Sequence, residues 1–341
     1  MKTKKSQKEK MREFTGVRSK ANLNFALSEI NKKHGDGSLM RLGDKKTIKC
    51  PVISTGTIGL DLATGIGGVP RGRVTEIFGR EGSGKTTLAL HIVAECQKNK
   101  GTVAFIDSEH ALKIEYAQNL GVDIDNLLLS QPTTAEEALD IADTLVKSAS
   151  VDLIIIDSVA AMCTNAELLG TMGQSHVGLL PRLMSQALRK LTASVHKTKT
   201  CFIFINQIRM KVNMGPFQGN PEITPGGVAL KFHASMRIDV RHIQKIQKDE
   251  ATIGSRVRVR VIKNKMASPY RSTELDLIFG KGFSSEASLI EVGIAKGIIK
   301  QRGSWYDMLE MTFQGKEKLR QWLEINPKDP AILKEINEAT E

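Results

Sequence analysis

Through the middle of the chain, short unbroken apolar runs alternate with stretches whose apolar residues recur every three to four positions. VTEIFG from residue 74, TVAFID from 102, LLLSQP from 127, VDLIIIDS from 151 and CFIFINQ from 201 are strand-sized and carry no continuous polar face. Between them the helical period returns: from Lys85, in the stretch through Tyr116, over 133–150 (TTAEEALDIADTLVKSAS) and over 180–197. Strands that are apolar on both faces and separated by helices predict a parallel sheet covered on both sides, an α/β fold. After residue 234 the pattern changes, because SMRIDVRHI, SRVRVRVIKNK and STELDLIFG follow one another with turns and no helix between them. That succession predicts antiparallel strands extending the sheet.

The flanks are different. NLNFALSEINKKHG, 22–35, puts Leu23, Ala26, Leu27 and Ile30 on one face and stops at a glycine, as an amphipathic helix does. Ahead of it, residues 1–20 carry eight Lys or Arg against Glu9 and Glu13, a solvated basic arm. From about 285 a short mixed segment with Trp305, Tyr306 and Trp322 has its own aromatic anchors and is expected to form a small α+β domain. The predicted division is an arm at 1–20, a helical region at 21–46, a core at 47–284 and a terminal domain at 285–341, with no internal repeat.

One segment has no period. After Phe204-Ile205-Asn206-Gln207 come about twenty residues rich in Gly, Pro, Met and Asn, ending at Gly226-Gly227. A compact domain rarely keeps so long an irregular loop unless it is used, since ordering it costs backbone entropy. A second irregular stretch, NAELLGTMGQSHVG at 165–178, leaves the preceding strand. Arg182, Arg189, Arg209 and Lys211 flank the two loops, and each also reads as an ordinary solvated charge.

The chemistry clusters at the strand ends. Gly79-Arg80-Glu81-Gly82-Ser83-Gly84-Lys85-Thr86 fits GxxxxGK[ST] and lies between a strand and a helix, the context its mechanism needs. Its glycines let backbone amides curl around phosphate oxygens, Lys85 reaches the β and γ phosphates, and the Thr86 hydroxyl faces Mg²⁺. Asp157 closes the apolar run Leu153-Ile154-Ile155-Ile156 and is the expected second Mg²⁺ residue, or else a strand-end cap. TVAFIDSEHA brings Asp107, Glu109 and His110 to the same rim, with Glu109 the choice to orient or deprotonate an attacking water and a helix-start role its rival. Gln207 ends its strand beside the phosphates and is placed to sense a γ-phosphate for the loop, or simply to satisfy nearby backbone. In Ser255–Val261 the strict alternation puts Val inward and three Arg outward, and beyond it Lys263 and Lys265 share one side of the strand as cations for a phosphate on a neighbouring subunit.

Composition narrows the partners. The 341 residues are 40% hydrophobic, enough for a full core, and their formal charge of +12 points to nucleic acid or an anionic membrane. Aromatic content of 5% leaves few residues for stacking on bases, so phosphate contacts are expected to dominate. Cys50, Cys96, Cys163 and Cys201 lie far apart without a CxxC pair and read as reduced cytosolic thiols. The longest apolar runs fall far short of a membrane span, and no apolar stretch near the start reads as a signal peptide.

GREGSGKTT, FIDSEHAL, LGVDIDNLLLSQP, IIIDSVAA, SHVGL, MSQALRKL, FINQIRMK, GNPE, ALKF and VIKNK occur in one order and spacing that closely resembles the bacterial RecA family of DNA strand-exchange ATPases. The likeness runs from about residue 20 to 325, and FINQIRMK with VIKNK separates it from other phosphate-loop ATPases. It implies a RecA-type core with a mostly parallel sheet, an N-terminal helix that docks on the next subunit, and a C-terminal domain that contacts duplex DNA. It implies a cytoplasmic, ATP- and Mg²⁺-dependent filament on single-stranded DNA that acts in recombination, repair and the SOS response, including self-cleavage of LexA-type repressors. By motif position Glu109 resembles the catalytic glutamate, Asp157 the Mg²⁺-linked aspartate, Tyr116 the adenine-stacking residue, Gln207 the γ-phosphate sensor, and Lys263 and Lys265 the pair acting across subunits. Thr87 would join the nucleotide loop. Residues 165–177 and 208–227 correspond to two DNA-binding loops, with Val177 and Val212 at base-separating positions and Arg209 and Met210 at the start of the second. Ser185, Arg189, Gly226 and Gly227 would add DNA contacts, and Phe232 would face the neighbour's nucleotide site.

The sequence also departs from the family. Arg80 stands for the usual proline, Gly82 for a serine, Lys113 for an aspartate that meets adenine, and Val228 for an asparagine. A strongly acidic C-terminal tail is missing. A ring-forming motor with the same core is the nearest rival, and a non-hydrolysing nucleoprotein scaffold is the rival of another class.

Overall fold

The computed structural model describes residues 22–35, 38–39, 50–210, 222–248, 250–308 and 311–326. Residues 1–49 and 50–341 are two compact units. In the first, helix α1 covers 22–34 and stops at Gly35, whose φ of +94° is the left-handed turn that glycine supplies without a Cβ penalty. The basic arm, Lys211, Val212 and most of the second loop lie outside the described residues, as do residues 327–341.

The second unit starts with a segment to which the sequence pattern assigns no element. Here β1 (Val52–Ile53) pairs antiparallel with β2 (Val69–Pro70) around α2 (Ile58–Thr64). Strands of two residues and a helix of seven are too short to impose a period on the sequence. The predicted alternation follows: β3 (Val74–Gly79), α3 (Lys85–Lys98), β4 (Val103–Asp107), α4 (Ile114–Asn119), β5 (Leu127–Ser130), α5 (Ala135–Ser148), β6 (Leu153–Asp157), α6 (Asn165–Leu169), α7 (Leu179–Thr198) and β7 (Cys201–Gln207). After the two-residue strands β8 (Arg209–Met210) and β9 (Glu222–Ile223) and helix α8 (Ala229–His233) come β10 (Met236–Lys248), β11 (Ala251–Asn264), β12 (Ser272–Ile278) and β13 (Gly282–Phe283).

The main sheet has nine strands in the order β13-β12-β11-β10-β3-β7-β6-β4-β5. From β10 to β5 every neighbour is parallel, and β11 to β13 add the antiparallel wing. Alternate residues serve opposite faces: Ile155 and Ile203 pack with Leu88, Ile92 and Val93 of α3, whereas Ile154, Ile156, Phe202 and Phe204 pack with Ala138, Leu188 and Leu191 of α5 and α7. Both faces being covered accounts for the unbroken apolar runs. On β11, Val257, Val259 and Val261 are fully buried, as the alternation requires. The intervening arginines are not merely solvated, since Arg256 pairs with Asp276, Arg258 with Glu274, and Arg260 lies over Tyr270.

The last described segment folds as α9 (Ser285–Ala295), β14 (Ile299–Arg302), β15 (Trp305–Met308), β16 (Met311–Gln314) and α10 (Lys316–Ile325). Its core joins Ile290, Ile299, Tyr306, Met308, Leu319 and Leu323, with Trp322 against Phe313 and Ile58 and Leu62 of α2 packed on it. Trp305 points the other way along β15 and is half exposed, so Tyr306 and Trp322 are the anchors.

Candidate active site and its flanking loops

Register brings the chemistry together. Gly79 at the end of β3 sits opposite Gln207 at the end of β7, and Asp107 at the end of β4 sits opposite Asp157 at the end of β6. Four neighbouring carboxyl ends thus open into one crevice, where α/β sheets place their ligands. A cleft of about 260 Å³ there is lined by Lys85, Thr86, Glu109, Asp157 and Gln207 together with Glu81, Gly82, Gly84 and Thr87.

The phosphate-loop geometry is specific. Gly79 has no room for a side chain, because a Cβ there would lie 2.2 Å from the Val240 carbonyl oxygen. Gly84 takes φ +91° as it leads into α3, aiming the first amides of that helix at the cleft. Ser83 is buried and its Oγ has no hydrogen-bond partner among the described residues. Lys85 donates to the Arg80 carbonyl at 2.8 Å, and burial lowers its pKa, opposed by the charges of Asp157, Glu109 and Glu81.

Thr86 Oγ1 donates to Asp157 Oδ2 at 2.7 Å, so Asp157 is bound to the phosphate-loop helix rather than capping a turn. Burial pushes the Asp157 carboxyl up to about 7, the Thr86 bond opposes this, and the negative charges of Glu109 and Asp107 add to it. A hydroxyl and a buried carboxylate this close are hard oxygen donors of the kind Mg²⁺ takes. Among the described residues no group of three or more His, Cys, Asp or Glu is arranged to hold a metal ion. A cation at Thr86 and Asp157 therefore fits as one that completes its shell with phosphate oxygens and water.

Glu109 does not begin a helix. The stretch before α4 is instead held by the Asp107 carboxylate, which accepts from the amides of Glu109 at 3.2 Å and Leu112 at 3.1 Å, and α4 starts only at Ile114. This leaves the Glu109 side chain in the cleft, where its Oε1 accepts from Ser158 Oγ at 2.5 Å and from Gln207 Nε2 at 2.9 Å. Ser158 directly follows Asp157, yet nothing in its type or spacing marks it as a partner of Glu109. Tyr116 reaches the first turn of α3, with its OH 2.9 Å from Thr87 Oγ1.

The other predicted residues fall in two places. Lys263 and Lys265 do not line the cleft; both ammonium groups approach the Phe232 carbonyl, at 3.1 and 3.5 Å, and Phe232 itself is largely exposed. Gly226 and Gly227 sit at the foot of the long loop with φ +80° and +78°, where a Cβ would meet Val159 and Pro181. Pro181 lies in the first turn of α7, just after the loop that carries the exposed Val177, so the feet of the two loops adjoin. Ser185 and Arg189 lie one turn apart on α7, half-buried and exposed. Arg209 and the exposed Met210 begin the long loop, and Arg209 reaches the Ala160 carbonyl at 3.4 Å.

The RecA N-terminal domain model matches residues 21–284 and the RecA C-terminal domain model matches residues 287–340. Among curated proteins, Protein RecA of Oleidesulfovibrio alaskensis is 55% identical over 305 residues, covering 89% of this chain and 87% of the relative. Protein RecA of Clostridium novyi is 53% identical over 315 residues, with 92% and 89% covered. Protein RecA of Legionella pneumophila strain Corby is 54% identical over 315 residues, with 92% and 90% covered. No helix of the described residues is long and apolar enough to cross a membrane. A phosphate-loop cleft at the switch of a RecA-type sheet, matched by likeness along nine-tenths of its length, places the chain in the RecA family of DNA-dependent ATPases that act in recombination and repair.

Proposed function

We propose that the chain coats single-stranded DNA as a helical filament, pairs it with a homologous duplex and exchanges strands under ATP control. The observation that carries this reading is the Gln207–Glu109 hydrogen bond, because it joins a cleft carboxylate to the residue from which the long irregular loop departs. ATP with Mg²⁺ supplies a phosphoryl group whose charge is partly neutralised. Lys85 and the amides of Gly82–Thr87 would bind its phosphates, Thr86 would hold the cation directly and Asp157 through water, and Tyr116 would pack against the base. Glu109 orients the attacking water and receives its proton, while Ser158 and Gln207 fix the carboxylate's direction.

The loops at 165–177 and 208–227 hold the DNA, with Val177 and Val212 between bases and Ser185, Arg189, Arg209, Met210, Gly226 and Gly227 around the backbone. The exposed Phe232 and Lys265 with the half-buried Lys263 form one patch that meets the next subunit, residues 285–341 contact duplex DNA, and the filament prompts self-cleavage of a LexA-type repressor in a bacterial cytoplasm. Base pairing itself reads the sequence, so the protein needs shape and phosphate contacts rather than a base code.

The test is to titrate labelled single-stranded DNA with and without a slowly hydrolysed ATP analogue. Gln207→Ala is expected to lower the ATP enhancement of DNA affinity by roughly 5- to 150-fold, the range for coupling of about 1–3 kcal/mol. A variant that keeps the full wild-type ratio would show that Gln207 is structural.

A further inference from the structure

The long loop is gripped at its far end as well as its near one. Its neck is the ladder β8·β9, in which Arg209 faces Ile223 and Met210 faces Glu222. Two residue pairs make a weak ladder unless something else holds it. Glu222 is what holds it: its carboxylate accepts from Arg241 Nη2 at 2.6 Å and Nη1 at 3.3 Å, and Arg241 is in turn set by Asp239 at 2.8 Å on the same strand, β10. These bonds tie the neck to the main sheet.

Glu222 has a further partner in the phosphate loop. Arg80 Nη2 donates to Glu222 Oε1 at 3.3 Å, and the two cations together hold the carboxyl below its usual pKa, with Arg241 the larger cause. Arg80 is engaged at both ends, because its carbonyl accepts from Lys85 Nζ at 2.8 Å. The ammonium on one side of Arg80 is thus the group that phosphates attract, and the carboxylate on the other side is the neck of the loop. A proline at this position would have no side chain to make the second contact.

We infer that Arg80 is a positioning residue that carries nucleotide occupancy to the far end of the loop through Glu222, in parallel with Gln207 at the near end. The inference rests on the reading that this loop binds DNA and that ATP favours its binding. Phosphates in the cleft compete with the Arg80 carbonyl for Lys85, and their charge attracts the Arg80 guanidinium, whose side chain is 71% exposed. Both effects weaken the bond to Glu222. A contact that bound phosphate weakens stabilises the arrangement that phosphate disfavours, which is the one with low DNA affinity.

Arg80→Ala is therefore expected to raise the affinity for single-stranded DNA without nucleotide by roughly 1.5- to 5-fold, the effect of an exposed ion pair of about 0.2–1 kcal/mol. Affinity at a saturating concentration of the slowly hydrolysed analogue should change far less, so the ATP enhancement falls by the same factor. Saturation removes any change in nucleotide affinity from the comparison. Arg80→Lys should retain part of the wild-type ratio, and Arg80→Ala should add nothing in a Glu222→Gln background. A fall in DNA affinity of equal size with and without the analogue would assign Arg80 a structural role, and unchanged affinities, or additive effects of the two substitutions, would equally overturn the inference. A wild-type protein that showed no ATP enhancement would instead remove the reading of the loop, and this inference with it.

Discussion

Replacing Asp157 by Asn probes the cleft's electrostatics through stability alone. Burial, with Glu109 and Asp107 nearby, raises the Asp157 pKa from 3.8 to about 7. Between those values the native protein keeps a proton that the unfolded chain has released, so stability falls as pH rises through this window and then levels off. At about 1.4 kcal/mol per unit, the full loss above pH 7 is about 4 kcal/mol, of which roughly 3 kcal/mol accrues between pH 5 and pH 8. Asn keeps an oxygen to accept from Thr86 and carries no charge, so the substitution should stabilise the nucleotide-free protein at pH 8 and much less at pH 5. Urea unfolding of both proteins at the two pH values gives the difference directly. ATP with Mg²⁺ should reverse the order at pH 8, because a cation offsets the buried carboxylate and Asn offers it only a neutral oxygen. An Asn variant no more stable than wild type at pH 8, or equally stabilised at both pH values, would show that its surroundings do not hold Asp157 protonated in this window.

Lys85→Ala should abolish ATP-dependent DNA binding, because it deletes the cation that reaches the β and γ phosphates, and normal filaments by electron microscopy would contradict this. Arg237→Leu should cost about 3–5 kcal/mol in urea unfolding at neutral pH, since fully buried Glu76 would lose its ion-pair partner and, among the described residues, keep the Asn206 amide at 3.1 Å; a change below about 1 kcal/mol would show that Glu76 is satisfied elsewhere.

Much of the fold could be read from the chain because a doubly covered sheet leaves an unmistakable pattern: Leu153–Ile156 and Phe202–Ile205 are apolar at every position since both of their faces are buried. The same logic put Asp157, Glu109 and Gln207 at one rim, as each ends or follows such a run. The contacts among them were not legible. Nothing in the spacing of Ser158 or Gln207 says that both would donate to one oxygen of Glu109, because that depends on how β4, β6 and β7 adjoin in the sheet. Glu222 was hidden for a related reason, being one acidic residue in an irregular loop whose partners, Arg80 and Arg241, lie 142 and 19 positions away. The outward turn of Trp305 follows from strand alternation beside Tyr306, which a count of aromatics does not register.

If ATP binding and DNA exchange belong to one machine, a single strand-exchange reaction must show both. Purified protein, circular single-stranded DNA and a homologous linear duplex are incubated with ATP and Mg²⁺, and joint molecules and displaced strand are followed on a gel. Coupling of the two predicts exchanged product that requires ATP and homology, accompanied by ATP turnover that single-stranded DNA stimulates. DNA-stimulated turnover without exchange, or DNA coating indifferent to ATP, would contradict it.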